Sequence, residues 1–211
     1  QTRIGMNLLI KLFEKEVSDY DIIYKEVYKH NWDMILNSSN SFAIKTRINS
    51  KIIKNQSFAT MKIKDAIVDK IRNKSGDRPS IDKKNPDFYI TAYIKDNKIS
   101  IYLNSSGKPL FMRGYRSIIH KAALNECLAA GILKLTNWSK KQPLYDCMCG
   151  SGTFLIEAAM SAFNIPPRIL RANYSFLNYK DFDEILWTRV IKKSNKKINY
   201  DTIKLYGSDL V

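Results

Sequence analysis

The stretch Leu144-Tyr145-Asp146-Cys147-Met148-Cys149-Gly150-Ser151-Gly152-Thr153-Phe154-Leu155-Ile156-Glu157-Ala158-Ala159 decides how this sequence is read. Pro143 to Asp146 reads as a short strand that ends on a carboxylate. Cys149 to Gly152 is a glycine turn, and Thr153 to Phe163 has helical spacing. Strand, acid, glycine loop and helix in that order form a βα unit, so the second half of the chain reads as α/β. Glycines let a ligand approach the backbone because no Cβ intervenes. The start of the helix adds N–H groups that have no partner within the helix.

Three ligand classes compete for such a loop. A phosphate loop needs Lys after its last glycine, and Thr153 stands there instead. A dinucleotide loop needs a small residue three positions beyond its second glycine, where this chain has Leu155. S-adenosylmethionine carries no phosphate and presents a charged amino-acid end, so Asp146 beside the loop suits it. The alternative is that Gly150 and Gly152 only permit a tight turn. A second strand, Thr202 to Tyr206, runs into Gly207-Ser208-Asp209, and an acid there is placed to take ribose hydroxyls. The span from Asp146 to Asp209 is longer than a simple crossover, so an insertion at about 164–199 is expected, helical near 182–191.

Upstream the pattern differs. Met6, Leu8, Ile10 and Leu12 alternate as in a strand, and Asp19 to Lys29 is helical with Ser18 or Asp19 as N-cap. Phe42, Ile44, Thr46 and Ile48 share one face of a strand. Residues 57–73 form an amphipathic helix carrying Met61, Ile63, Ala66, Ile67, Val68 and Ile71. Two alternating runs, Phe88 to Ile94 and Ile99 to Leu103, flank Asp96-Asn97 as a hairpin. Residues 119–135 read as a helix with Ala123, Leu124, Cys127, Leu128, Ile132 and Leu133 inward.

The 211 residues carry a net charge of +15, spread as 20 basic against 12 acidic residues in 1–111 and 15 against 8 in 112–211. Neither half is a basic tail. Such a balance favours polyanions, nucleic acid first. The 26 Lys against only 9 Arg, with 27 Ile and 17 Asn, also suit a low-GC genome that inflates Lys without function. No apolar run approaches the ~20 residues that span a bilayer, and no secretory leader is evident at the start. Cys127, Cys147 and Cys149 read as reduced thiols of a cytoplasmic protein; Cys147-Met148-Cys149 is a C-x-C pair short of the about four ligands that a zinc site needs, and His30 and His120 lie far away in sequence.

The motif from Asp146 to Ala159 resembles that of the THUMP-domain RNA methyltransferases, and within them the large-subunit ribosomal RNA guanine-N2 methyltransferases. Lys64-Asp65-Ala66-Ile67-Val68-Asp69, Arg78-Pro79-Ser80-Ile81-Asp82, Asn85-Pro86-Asp87 and Arg113-Gly114-Tyr115-Arg116 are similar to that family's THUMP region and its exit. Asn125-Glu126, the aromatics Phe176, Phe182 and Trp187, and Gly207-Ser208-Asp209 agree as well. Cys147 departs from the family's usual Pro, a mild change in a loop of mainly backbone contacts.

The resemblance implies an α+β THUMP-like region followed by the N-terminal part of an α/β Rossmann-like, S-adenosylmethionine-dependent methyltransferase domain. The expected division is 1–40 as a remnant of an N-terminal ferredoxin-like region, 41–112 as the THUMP domain, and 113–211 as the incomplete methyltransferase domain. It implies cofactor contacts from Asp146, Gly150, Ser151, Gly152, Thr153 and Asp209. Each has a plainer alternative: Asp146, Ser151 and Thr153 as helix caps, Asp209 as a strand-end acid. It implies structured RNA as partner, ribosomal rather than transfer RNA, with Arg78, Lys83, Lys84, Arg113 and Arg116 as contacts. For Arg113 and Arg116 a packing role competes evenly. The catalytic Asn-Pro-Pro-Tyr-type motif of the family would lie beyond Val211, so the chain is expected to be an inactive piece cut at both ends. The other reading is a free-standing RNA-binding module with a vestigial α/β half.

Overall fold

The structure is a computed structural model and describes residues 2–116 and 123–210. The chain divides into two compact units. One holds residues 7–107 and 173–182; the other holds 1–6, 108–172 and 183–211.

The first unit is built on a five-stranded sheet. Its strands are β1 (Leu9–Glu16), β2 (Ser41–Asn49), β3 (Ser80–Ile81), β4 (Phe88–Lys95) and β5 (Lys98–Asn104), in the order β1-β5-β4-β2-β3. The β1/β5 and β4/β5 pairs are antiparallel, whereas β2 runs parallel to both β4 and β3. The β4–β5 hairpin forms where the alternation predicts it. Asp96 takes φ +53, a left-handed conformation that Asp tolerates in turns, and the Asn97 carbonyl accepts from the Val17 N–H at 2.7 Å.

Helix α1 (Tyr20–Tyr28) starts at Asp19, whose carboxylate accepts from the N–H groups of Asp21 and Ile22. Helix α2 (Gln56–Ser75) starts at Asn55, which accepts from the Phe58 N–H, and stops at Gly76 in the left-handed region at φ +83. Ala59, Ile63, Ala66, Ile67 and Ile71 of α2 join Ile23 and Val27 of α1 and the strand residues Phe42, Phe88, Ala92, Ile94, Ile99 and Ile101 in one buried core. Trp32 closes its end, donating from Nε1 to the Val27 carbonyl at 2.7 Å.

Two expectations change here. The first strand runs over Leu9–Glu16, and Met6, Leu8 and Ile10 lie exposed. A register shift between Lys11 and Phe13 breaks the simple alternation that their spacing suggests. Met61 of α2 is likewise exposed.

Residues 173–182 complete this unit from far along the chain. The Phe176 N–H donates to the Ser105 carbonyl, and the Ser175 hydroxyl and Asn178 amide both donate to the Asp87 carbonyl. Tyr179 stacks on Phe88 with ring centroids 6.0 Å apart. Gly107, at φ +71, lies where a Cβ would meet the Ser175 backbone nitrogen at 3.1 Å.

The second unit contains α3 (Glu126–Leu135), β6 (Leu144–Asp146), α4 (Thr153–Ala162), α5 (Glu184–Asn195) and β7 (Leu205–Gly207). β6 and β7 pair in parallel, with α4 as the helix that follows β6. Helix α3 begins at 126 rather than 119. Asn125 holds an extended backbone, and its side chain accepts from the N–H groups of Cys127 and Leu128. Residues 123–125 are not helical, and 117–122 lie outside the described residues. The expected inward set is also revised: Cys127 is buried, whereas Leu128 and Ile132 are exposed, because Glu126, Ala129 and Ala130 turn inward instead.

Candidate functional site

The glycine loop begins where β6 ends. The Ser208 N–H donates to the Asp146 carbonyl at 2.9 Å, and the Cys149 N–H donates to the Ser208 carbonyl at 3.0 Å. The loop is thus pinned to the end of β7 on both sides. The Gly152 N–H then closes a turn on the Cys149 carbonyl at 2.8 Å, and α4 starts. Gly150 and Gly152 hold φ of +51 and +74, so a side chain at either would be strained. A Cβ at either would meet nothing within 4 Å. The glycines therefore serve backbone conformation and leave open space above the loop.

Asp146 directs one carboxylate oxygen to the Met148 N–H at 3.3 Å. Its other oxygen, Oδ2, is buried with no hydrogen-bond partner among the described residues. A buried acceptor left unpaired is costly unless a ligand or an ordered water supplies the donor. Asp209 Oδ2 accepts from the Gly150 N–H at 2.7 Å, and its Oδ1 accepts from the Leu210 N–H at 2.8 Å. The acid at the end of β7 thus reaches across to the loop after β6. The N-cap position of α4 is Gly152, with no side-chain cap, so neither Asp146, Ser151 nor Thr153 caps this helix. Ser151 is exposed, and its hydroxyl lies 3.5 Å from that of the buried Thr153.

Behind the loop lies a layer of buried charge. Arg116 donates to the Thr153 hydroxyl and to the Leu124 carbonyl, and pairs with Glu126 at 3.3 Å. One helical turn further along α4, Glu157 has no exposed surface and pairs with Arg113, itself only 2 % exposed, at 3.4 Å. Tyr115 donates to the same carboxylate oxygen, and burial pushes its phenol up. Arg113 also donates to the carbonyls of Leu110 and Arg3. Arg3 reaches the Met160 and Ile165 carbonyls at the end of α4.

The expected RNA-contact residues fall into two groups. Arg78, Lys83 and Lys84 are exposed on the connection between α2 and β4. Asp82 orders that segment by accepting from the Lys84 and Asn85 N–H groups, which hold its carboxyl below the usual range. Arg78 lines a groove with Lys64 and Arg72, and Asp65 and Asp69 lie on the same groove. Arg113 and Arg116 instead belong to the second unit, where Arg113 donates to two carbonyls and Glu157, and the terminal nitrogens of Arg116 engage the Leu124 carbonyl, the Thr153 hydroxyl and Glu126.

Glu157 and Gly207 were not singled out from the sequence. A glutamate within Phe-Leu-Ile-Glu-Ala-Ala offers a signal, since a charge on an apolar helix face asks for a partner. At Gly207 a Cβ would meet the Leu155 side chain at 2.5 Å and the Cys149 Sγ at 3.2 Å, so a larger residue there would have to displace both side chains. Among the described residues no group of His, Cys, Asp and Glu is placed to hold a metal ion. No helix among the described residues is long and apolar enough to cross a membrane.

A family model described as a THUMP domain matches residues 17–104, and one described as an RMKL-like methyltransferase domain matches residues 113–211. The chain is 38% identical over 99% of its length to the ribosomal RNA large subunit methyltransferase K/L of Psychromonas ingrahamii, of which it spans 28%. It is 36% identical over 93% of its length to the protein of the same name from Buchnera aphidicola subsp. Schizaphis graminum, again spanning 28%. The chain thus covers less than a third of these relatives. Among solved structures, SMU.472, described as a methyltransferase complexed with SAH, superposes with a TM-score of 0.83 at 28% identity, over 98% of this chain and 55% of that one. A methylase from Clostridium difficile 630 gives 0.82 at 29% identity, over 97% of this chain and 54% of that one.

Proposed function

Since this chain belongs to the THUMP-bearing, RMKL-like methyltransferase family, we propose that the protein carrying it is an S-adenosylmethionine-dependent RNA methyltransferase of the cytoplasm. The substrate we favour is the exocyclic N2 of a guanosine in large-subunit ribosomal RNA, with transfer RNA as the neighbouring choice. Two curated relatives named for ribosomal RNA methylation support that preference.

The observation that carries the reading is the unpaired, buried Asp146 Oδ2 beside an open glycine loop. The cofactor, when bound, supplies an electrophilic methyl group on a sulfonium sulfur. In this reading Asp146 accepts from the ammonium end of the methionine moiety, and the Gly150–Thr153 backbone supports that end. Asp209 takes the ribose hydroxyls, where it also braces the loop through the Gly150 N–H. These groups bind and orient; alignment of the two reacting partners is the main service an enzyme gives a direct displacement. Ser151 completes the rim. Arg78, Lys83 and Lys84 are the RNA contacts we favour, within residues 41–112 as the THUMP domain, preceded by 1–40 and followed by the methyltransferase part from 113. Arg113 and Arg116 are assigned to packing behind the loop.

Calorimetric titration of S-adenosylhomocysteine into the full-length protein tests this. Binding should weaken at least about tenfold in Asp146→Asn, since an ionic hydrogen bond contributes about 1.5–3 kcal/mol. A full-length protein that binds neither this ligand nor S-adenosylmethionine overturns the reading.

A further inference from the structure

Helix α5 is unlike the other helices of this chain. No residue of it is buried. Trp187, Ile191 and Ser194, spaced by four and three, are the residues that are only half-exposed. Arg168 holds this side: its guanidinium lies over the Trp187 ring and donates to the Ile191 carbonyl and the Asn195 side chain. On the opposite side Arg189, Lys192, Lys193 and Lys196 are all exposed. Their spacing of three, four and seven puts them in one row along about 10 Å of helix.

The row carries far more positive than negative charge: among the described residues, Glu184 is the acid that lines a groove with all four cations. From Thr188 to Tyr200 the sequence has five cations and no acid. Among the described residues none of the four is in an ion pair. Helix α2 has five cations but pairs four of them: Lys62 with Asp21, Lys64 with Asp65, Arg72 with Asp69 and Lys74 with Asp33. In α5 the like-charge neighbours 189/192, 189/193, 192/196 and 193/196 repel one another at helical spacing. Asp183 is spent on capping the helix, and Glu184 in the first turn leaves one carboxylate against four cations. Low-GC inflation accounts for Lys but not for Arg189, since Arg is scarce in this chain.

We propose that the exposed row of Arg189, Lys192 and Lys193 on α5, with Lys196 at its C-cap, is a docking surface for the phosphate backbone of RNA. The inference rests on the RNA-methyltransferase reading and adds a contact that the glycine loop does not require. A rigid row of exposed, unpaired cations fits a run of phosphates, positions the nucleic acid and reads no sequence. Exposed Ile185, Leu186 and Val190 beside the row would also suit an anionic lipid surface. RNA is favoured because four cations share one stripe with a single apolar residue, Ile185, while Leu186 and Val190 lie to its side and form no opposite apolar face.

The test compares the full-length protein with a variant in which all four are changed to Gln, and with a control in which Lys45, Lys95, Lys98 and Lys108 are. Each is titrated with a large-subunit ribosomal RNA transcript across a salt series, and with phosphatidylserine vesicles. The α5 variant should bind the RNA about 10- to 100-fold more weakly at low salt, with a salt slope reduced by about 3, and the control should lose clearly less. Circular dichroism should show unchanged helix content, since the row touches nothing inside. An α5 variant no weaker than the control overturns the inference and leaves the methyltransferase reading standing. Native protein that binds no RNA overturns both. Vesicle binding that depends on the row, with RNA binding unchanged, replaces RNA with a membrane surface.

Discussion

Glu157 sits mid-helix with no exposed surface, faced by Arg113, Tyr115 and, further off, Arg3. Burial pushes its carboxyl up, and the two arginines and the tyrosine pull it back. A carboxyl held above its unfolded value binds more protons folded than unfolded, so its stabilisation is full at low pH and is lost as pH rises through the folded value. The Tm of the native chain should therefore decline against that of Glu157→Gln between pH 4 and pH 7. A difference that moves the other way means that pairing with Arg113 outweighs burial. Arg113→Met leaves a buried carboxylate without its main partner and should cost about 3–5 kcal/mol in chemical denaturation. At this scale the sequence is least legible. Arg113 stands in a basic quartet that reads equally as an RNA contact, and nothing local reveals a partner 44 residues away.

Elements are where the sequence speaks most clearly. The β4–β5 hairpin and α2 follow directly from periods of two and of 3.6. The glycine loop follows from the order of strand, acid, turn and helix. Helix α3 is the counter-example. An apolar run predicts its inward face, yet Leu128 and Ile132 are exposed, while Ala129, Ala130 and Glu126, which pairs with Arg116, are buried. Caps decide where elements stop. Gly76 ends α2 at φ +83 with open space around its Cβ position. Gly76→Ala should thus destabilise by about 1–2 kcal/mol through backbone strain alone. Thermal unfolding reads this, and a neutral substitution would show that the cap relaxes.

At the scale of the whole molecule, sequence order and spatial order part company. Residues 173–182 lie within the second half of the chain but fold into the first unit, while residues 1–6 fold into the second. Local periodicity cannot foretell this, since the contacts of Ser175, Phe176 and Tyr179 are with Asp87, Ser105 and Phe88 respectively, about seventy to ninety residues away. Tyr179→Ala should destabilise the unit containing β4 by about 2–4 kcal/mol, as a truncated aromatic does. Hydrogen exchange at the β4 and β5 amides would locate the effect, and protection unchanged there would refute it.

The late arrival of residues 173–182 also sets a clock. A ribosome adds roughly 5–20 residues each second, so the stretch from Gly107 to Phe182 takes roughly 4–15 s to make. For that interval the nascent first unit waits with the ring of Phe88 and the carbonyls of Asp87 and Ser105 uncovered. The speed of translation through the middle of the message therefore governs how long an unfinished sheet is presented to chaperones and to other nascent chains.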